Sequence, residues 1–231
     1  MKSICLGALI FFVAAGAHAQ SWEPELNPNK KFESAERFGL ELKGGSYNPA
    51  VGGSVWDNNI SDSGPLLGLE FDVYPMRIPY FGLLGLGFGL GYANFAGSSL
   101  NPAGVAISEK TSLNVVPLSV MAVLRVDVLW RELNVPFVFV GKLGGELAFW
   151  DMNTGNNNVA NGYSGGFRWA LQADLYLDFL EPSSARSLDE EWGINHTFLF
   201  FELFGTTTGK KPNSNVDLSD TSWAIGLGAT F

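Results

Sequence analysis

"FGLLGLGFGLGYANF", residues 81–95, places Gly85, Gly87, Gly89 and Gly91 with a large apolar residue between each pair. Leu84, Leu86, Phe88, Leu90 and Tyr92 therefore share one face and the glycines the other. A helix repeats its apolar positions every three or four residues, a strand every two. In a helix each glycine would also cost about 1 kcal/mol relative to alanine. The pairs Gly85/Gly89 and Gly87/Gly91 match the small-xxx-small spacing of packed membrane helices, but the unbroken period of two outweighs that match. No G-x-G-x-x-G dinucleotide fingerprint can be laid on these glycines. The stretch reads as a strand, and no residue from Ile78 to Gly97 is charged.

The same alternation recurs seven times. Phe38, Leu40 and Leu42 alternate with Arg37, Glu41 and Lys43; Leu67, Leu69, Phe71 and Val73 with Glu70 and Asp72. The run Val116 to Val126 opposes Ser119 and Arg125, and Phe137 to Phe149 opposes Lys142 and Glu146. Phe167 to Phe179 opposes Arg168, Asp174 and Asp178, while Thr197 to Leu203 opposes His196 and Glu202. Trp223, Ile225, Leu227, Ala229 and Phe231 complete the set. Eight strands of about ten residues each have the length that crosses a bilayer when tilted.

The connections alternate as well. Long polar segments (48–64, 97–110, 151–164 and 206–220) follow the first, third, fifth and seventh strands, and are read as mobile loops. "PMRIPY" and "VLWRELNVP" are short; "EPSSARSLDEEWG", 181–193, is longer, with Pro182 and Gly193 framing a short helix that caps the mouth or meets a partner. Long loops on one rim and short turns on the other is the asymmetry of outer-membrane barrels. The expected fold is all-β, an eight-stranded antiparallel up-and-down transmembrane barrel.

Residues 1–19 read as a signal peptide: Lys2, an apolar run from Ile4 to Ala15, and Ala17-His18-Ala19 before Gln20. Residues 20–36 form an N-terminal tail and 37–231 the barrel. The only cysteine, Cys5, lies in the peptide, leaving no disulfide and no Cys-based metal site. A formal net charge of -9 argues against nucleic acid, which needs clustered Lys and Arg.

The last strand, ending in Phe231 with Ala229, Leu227, Ile225 and Trp223 at every second position, resembles the C-terminal signal of bacterial outer-membrane β-barrels. The chain is similar to the small eight-stranded group typified by the outer membrane protein A transmembrane domain. "RFGLELKGGSYNP" and "GINHTFLFFE" resemble outer-membrane barrels of myxobacterial type. This resemblance implies a Gram-negative outer membrane, both termini in the periplasm, a monomer, and the barrel assembly machinery and lipid as partners.

An eight-stranded barrel is only wide enough for its interior to be filled by side chains. Arg37, Glu41, Lys43, Glu70, Asp72, Arg125, Lys142, Glu146, Arg168, Asp174, Asp178 and Glu202 are then expected inside, as an ion-pair network, because isolated buried charge is costly. The glycines of 81–95 are expected to make room for Arg125, Arg168, Tyr176 and Trp150. Aromatic girdles are expected from Tyr80, Phe81, Trp130, Phe137 and Phe179 at one end and Phe95, Phe149, Trp169 and Trp223 at the other. A structural role, or surface interaction through four outer loops, is the first reading, and a narrow pore is the alternative.

A lipid-modifying enzyme ranks third, because His196 and Glu202 lie about 20 Å apart along one strand; His196 is read as structural. A soluble pocket barrel with its oil inside is fourth. "DMNTGNNN" fails the calcium-loop pattern, and "NHT", 195–197, fits the glycosylation triplet without consequence at the foot of a strand. No catalytic, cofactor or metal residue is assigned.

Overall fold

The computed structural model describes residues 35–49, 63–100, 106–155, 157–209 and 216–231. The signal peptide, most of the tail, most of the 48–64 loop and "KKPNSN" lie outside these residues. Eight strands follow in order: β1 (Phe38–Tyr47), β2 (Gly64–Ile78), β3 (Gly82–Leu100), β4 (Ala106–Val126), β5 (Phe137–Thr154), β6 (Asn157–Tyr176), β7 (His196–Thr206) and β8 (Asp220–Thr230). Helices α1 (Val128–Leu133) and α2 (Pro182–Trp192) lie between β4 and β5 and between β6 and β7. Each strand pairs antiparallel with the next, and β8 pairs with β1 to close the barrel. Closure satisfies backbone groups that a hydrocarbon surrounding could not.

The alternation read from the sequence sorts the two faces. Phe88, Leu171 and Leu227 are 47%, 62% and 58% exposed, whereas Glu70, Lys142 and Asp174 are at most 1% exposed. The apolar face is the outer wall. On β4 the outward apolar positions run from Val126 to Val116, roughly 33 Å along the strand, or about 25 Å along the axis at the usual tilt. That matches the hydrocarbon band of a membrane barrel.

Closure sets the ends. The Arg37 N–H donates to the Phe231 carbonyl at 2.5 Å, the Phe38 N–H at 3.0 Å, and the Phe231 N–H returns to Phe38 at 2.9 Å. An even strand number brings both ends of the barrel to the short-turn rim. Pro182 begins α2 and Gly193, at φ 68°, ends it, because glycine tolerates the left-handed cap.

Several expectations are corrected. β3 to β6 have 18 to 21 residues, not ten, so half the barrel continues past the other strands at the long-loop end. Much of 97–110 and 151–164 is therefore strand. Thr154 at the end of β5 pairs with Asn157 at the start of β6, and Gly155 turns at φ 59°. Polar composition marked these segments as loops, but strand pairing does not stop where the apolar wall stops. "VLWREL" is helix α1, closed by Asn134 in the left-handed conformation at φ 53°. Phe95 is buried, and Trp130 turns inward against Tyr176 and His196, so neither belongs to a girdle. β2 shifts register between Val73 and Met76, where Pro75 has no N–H for the ladder.

Candidate functional site: the charged lumen

Three layers fill the bore. At the short-turn end Tyr74, Leu83, Val123, Val138, Val140, Tyr176, Phe198 and Phe200 form an apolar layer, half of it aromatic. At the long-loop end Tyr47, Leu66, Phe95, Leu113, Val115, Trp150 and Phe204 pack with Val216 and Leu218 from the β7–β8 connection. Leu218 is pinned there: its N–H donates to Thr208 at 2.9 Å, and its carbonyl accepts from Tyr47 Oη at 2.7 Å. Sequence reading placed Trp150 and Tyr176 inside among the charges but did not gather the inward apolar residues into two layers. The signal was present in apolar residues at inward positions, such as Leu113, Val115, Val138 and Val140, which break the expected polarity.

The charges lie between these layers. Lys142 Nζ is 2.7 Å from Glu41, 2.7 Å from Glu70 and 3.5 Å from Glu202. Lys43 Nζ is 2.8 Å from Glu70 and 2.9 Å from Glu202. Arg168 pairs with Glu146 at 2.6 Å and reaches Glu202 at 3.7 Å, while its guanidinium lies 4.2 Å from the centre of the Phe204 ring. Arg125 pairs with Asp174 at 2.9 Å and lies over Phe198 at 4.5 Å. The two arginines thus couple the ionic layer to the aromatic ones, since guanidinium stacks on ring faces. Gln172 donates to Glu41 and Asp174, each at 2.8 Å.

Glu41, Glu70 and Glu202 bring carboxylate oxygens within 4.8 Å of one another, a spacing that suits a metal ion. The Lys142 ammonium occupies that position. Its three short contacts give the trio its counter-charge, and a cation site is not assigned.

Two of the expected members lie elsewhere. Arg37 precedes β1 and is exposed at the short-turn rim, because the strand parity that points Glu41 and Lys43 inward no longer constrains a residue beyond the ladder. Asp178 follows β6 and bonds His196 Nδ1 at the same rim, away from the central charges. Asp72 is inside but has no ion pair among the described residues: Oδ2 accepts from Tyr74 Oη at 2.9 Å, and the buried Oδ1 has no hydrogen-bond partner.

The glycines of β3 make room for different neighbours than expected. A Cβ on Gly87 would lie 2.5 Å from Asp72 Oδ1, on Gly89 2.4 Å from Ser119 Oγ, and on Gly91 2.9 Å from Pro117. A Cβ on Gly85 would meet the Val73 carbonyl at 2.2 Å and the Tyr74 ring at 2.8 Å. The beneficiaries are side chains on adjacent β2 and β4, not Arg125, Arg168, Tyr176 or Trp150. Cross-strand neighbours lie closer than anything across the bore.

At the short-turn rim His196 stacks on Tyr176 with ring centres 4.3 Å apart and meets Glu36 at 3.4 Å as well as Asp178. Arg77 bridges Asp127, at 2.7 Å, and Glu36, at 3.7 Å. His196 is thus flanked by carboxylates that sequence spacing could not reveal, since one precedes β1 and the other follows β6. α2 buries none of its residues, and Trp130 of α1 is the helical side chain that lies against the lower rings.

No family model matches the sequence, and no curated relative does. Solved structures do match. The outer membrane protein OprG from Pseudomonas aeruginosa aligns with a TM-score of 0.58 at 14% identity, over 86% of this chain and 97% of that one. Ail, the attachment invasion locus protein of Yersinia pestis, aligns at 0.46 and 7% identity, over 85% and 100%. Neisserial surface protein A aligns at 0.44 and 10%, over 84% and 96%. The likeness to OprG, with the closed ring described above, gives this chain the fold of the small eight-stranded outer-membrane β-barrels.

Proposed function

We propose that the chain is an integral outer-membrane β-barrel with a closed bore, serving a structural or surface-interaction role through its long-loop rim and carrying no catalytic machinery. The observation that carries this reading is Lys142, whose ammonium ties together carboxylates from β1, β2 and β7. Crossing the bore requires breaking that cluster, and a separated buried charge costs several kcal/mol. The apolar layers on either side add barriers that a hydrated ion would not enter without losing its water.

The membrane setting draws on the exposed apolar wall and on the fold shared with OprG. Both barrel ends meet at the short-turn rim, which the reading places in the periplasm. The terminal strand exposes Trp223, Ile225 and Leu227 outward, as a signal for the barrel assembly machinery requires. Planar-bilayer recording of the refolded chain tests the closed bore. The expected record is silent, and large, steady ohmic steps would refute closure.

A further inference from the structure

The outer wall does not end gradually at the long-loop side. Four strands change from apolar to amide or carboxylate side chains in a single cross-strand row. Asn94 of β3 pairs in register with Asn114 of β4, Asn114 with Asp151 of β5, and Asp151 with Asn161 of β6. Strand parity points all four outward, along with the apolar residues below them. One step nearer the membrane lie Tyr92, Phe149 and Tyr163, all exposed, with the Phe149 and Tyr163 rings 6.4 Å apart.

The row is internally ordered. Asn114 Oδ1 accepts from Tyr92 Oη at 2.9 Å and from Asn94 Nδ2 at 2.7 Å. Its own Nδ2 donates to Asp151 Oδ2 at 3.0 Å, which also accepts from Asn153 Nδ2 at 2.6 Å. The side chains are held in place before any ligand arrives, which lowers the ordering cost of binding. Each amide has two N–H bonds and an acceptor oxygen, and the carboxylate has two acceptor oxygens, so capacity remains on Asn94, Asn153 and Asp151 after these bonds are made.

We propose that this row, with Tyr92 and Tyr163 beneath it, is a binding face for the sugar headgroup of a glycolipid in the outer leaflet. The inference rests on the proposed membrane orientation, with the long-loop rim outermost. Its level fixes the kind of partner: the row begins where the hydrocarbon band ends, so it faces headgroups, continuous with the lipid-facing wall. Its chemistry selects among headgroups. A sugar offers hydroxyls that donate to Asp151 and accept from amide N–H groups, and apolar C–H faces that rest on tyrosine rings. A phosphate has only acceptors to offer and is repelled by Asp151, the one formal charge in the row. Lys110, the nearest cation further up β4, lies roughly 13 Å along the strand from Asn114.

The test uses the full chain folded in a poly(oxyethylene) detergent, which has no sugar of its own. Digalactosyldiacylglycerol and phosphatidylmethanol, an anionic phosphodiester without hydroxyls, are added in parallel, and retained lipid is read by native mass spectrometry. The galactolipid is expected to be retained in preference, and its apparent affinity to fall by about fivefold in Asn114→Thr, the loss of roughly one net hydrogen bond. Tyr163→Val is expected to weaken it without disturbing the amide row. Both positions face outward on strands that accept β-branched residues, and heat-modifiable gel migration verifies that each variant remains folded. Equal retention of phosphatidylmethanol, or unchanged galactolipid binding in both variants, overturns the sugar face while leaving the barrel intact. A wild-type chain with no heat-modifiable form overturns the membrane-barrel reading itself, and this inference with it.

Discussion

Lys142 Nζ of β5 lies 2.7 Å from Glu41 Oε2 of β1, and these two strands stand opposite each other in the ring of eight. The contact is a strut across the full bore, not a link between neighbours. Replacing Lys142 by methionine keeps the stem but leaves Glu41, Glu70 and Glu202 facing one another, with Lys43 beside Glu70 and Glu202, Arg168 beside Glu202, and no cation beside Glu41 among the described residues. Removing one partner of a buried pair costs about 3–5 kcal/mol. Urea unfolding in phospholipid vesicles should show Lys142→Met destabilised by that order. Adding Glu41→Gln should recover part of the loss, because it withdraws the carboxylate that has no other close ammonium among the described residues.

Asp72 should behave in the opposite way. It is buried, has no ion pair among the described residues, and its Oδ1 has no hydrogen-bond partner. Asparagine has the same shape, keeps an acceptor for Tyr74 Oη, and removes an uncompensated charge from beside Glu70. Asp72→Asn is expected to leave stability unchanged or raise it, whereas Glu70→Gln, which loses contacts with both Lys43 and Lys142, is expected to lower it. A thermal midpoint for Asp72→Asn well below that of the wild type would show that the carboxylate has a favourable partner.

These opposed outcomes mark the limit of what the sequence made legible. Period two identified every strand and which face was oil, because one residue's shift in register inverts the whole pattern. Parity likewise placed Glu41, Lys43, Glu70, Asp72, Arg125, Lys142, Glu146, Arg168, Asp174 and Glu202 on the inner face. It did not say who pairs with whom. Lys142 meets Glu41 and Glu202 through barrel closure, and closure has no local sequence signature. Parity also has no meaning beyond the ladder, which is why Arg37 and Asp178 were misplaced. The upper core around Phe95, Leu113 and Leu218 was hidden because it lies above the membrane band, on strand extensions whose outer face is as polar as a loop.

Glycines on β8 do for β7 what those on β3 do for β2 and β4. A Cβ on Gly226 would lie 2.1 Å from the Leu42 carbonyl and 2.5 Å from the Phe200 ring. The first contact is backbone in the closing β1–β8 pair and cannot rotate away. Gly226→Ala is therefore expected to destabilise the barrel by about 1–3 kcal/mol, the usual cost of overpacking. Gly145→Ala on β5 has nothing within 4 Å of its Cβ and serves as the control, with little effect. Equal unfolding midpoints for the two variants would show that the β1–β8 seam yields more easily than its geometry implies.

The rim cluster around Glu36 makes stability depend on pH in a defined direction. Glu36 precedes β1 and sits at the short-turn rim, beyond the strands that cross the membrane band. Burial acts to raise its pKa, but the hydrogen bond with His196 and the charges of His196, Arg77 and Arg125 outweigh it and hold the group at about 2, against 4.5 in an unstructured chain. Asp178 faces His196 from the β6–β7 connection, and Asp127 and Arg131 flank Arg77 from the α1 side. A carboxyl with a lowered folded pKa binds protons more readily when unfolded, so its stabilising contribution is complete above pH 4.5 and fades as pH falls towards 2. Glu36→Gln removes that contribution at neutral pH. The variant should melt below the wild type at about pH 7, and the gap should narrow progressively between pH 4.5 and pH 2, read as the temperature at which the heat-modifiable band converts. Comparing the two chains at each pH cancels the titration of acids that share no partner with Glu36. A gap that stays constant across this range would mean that Glu36 stabilises the rim by packing and not by its charge.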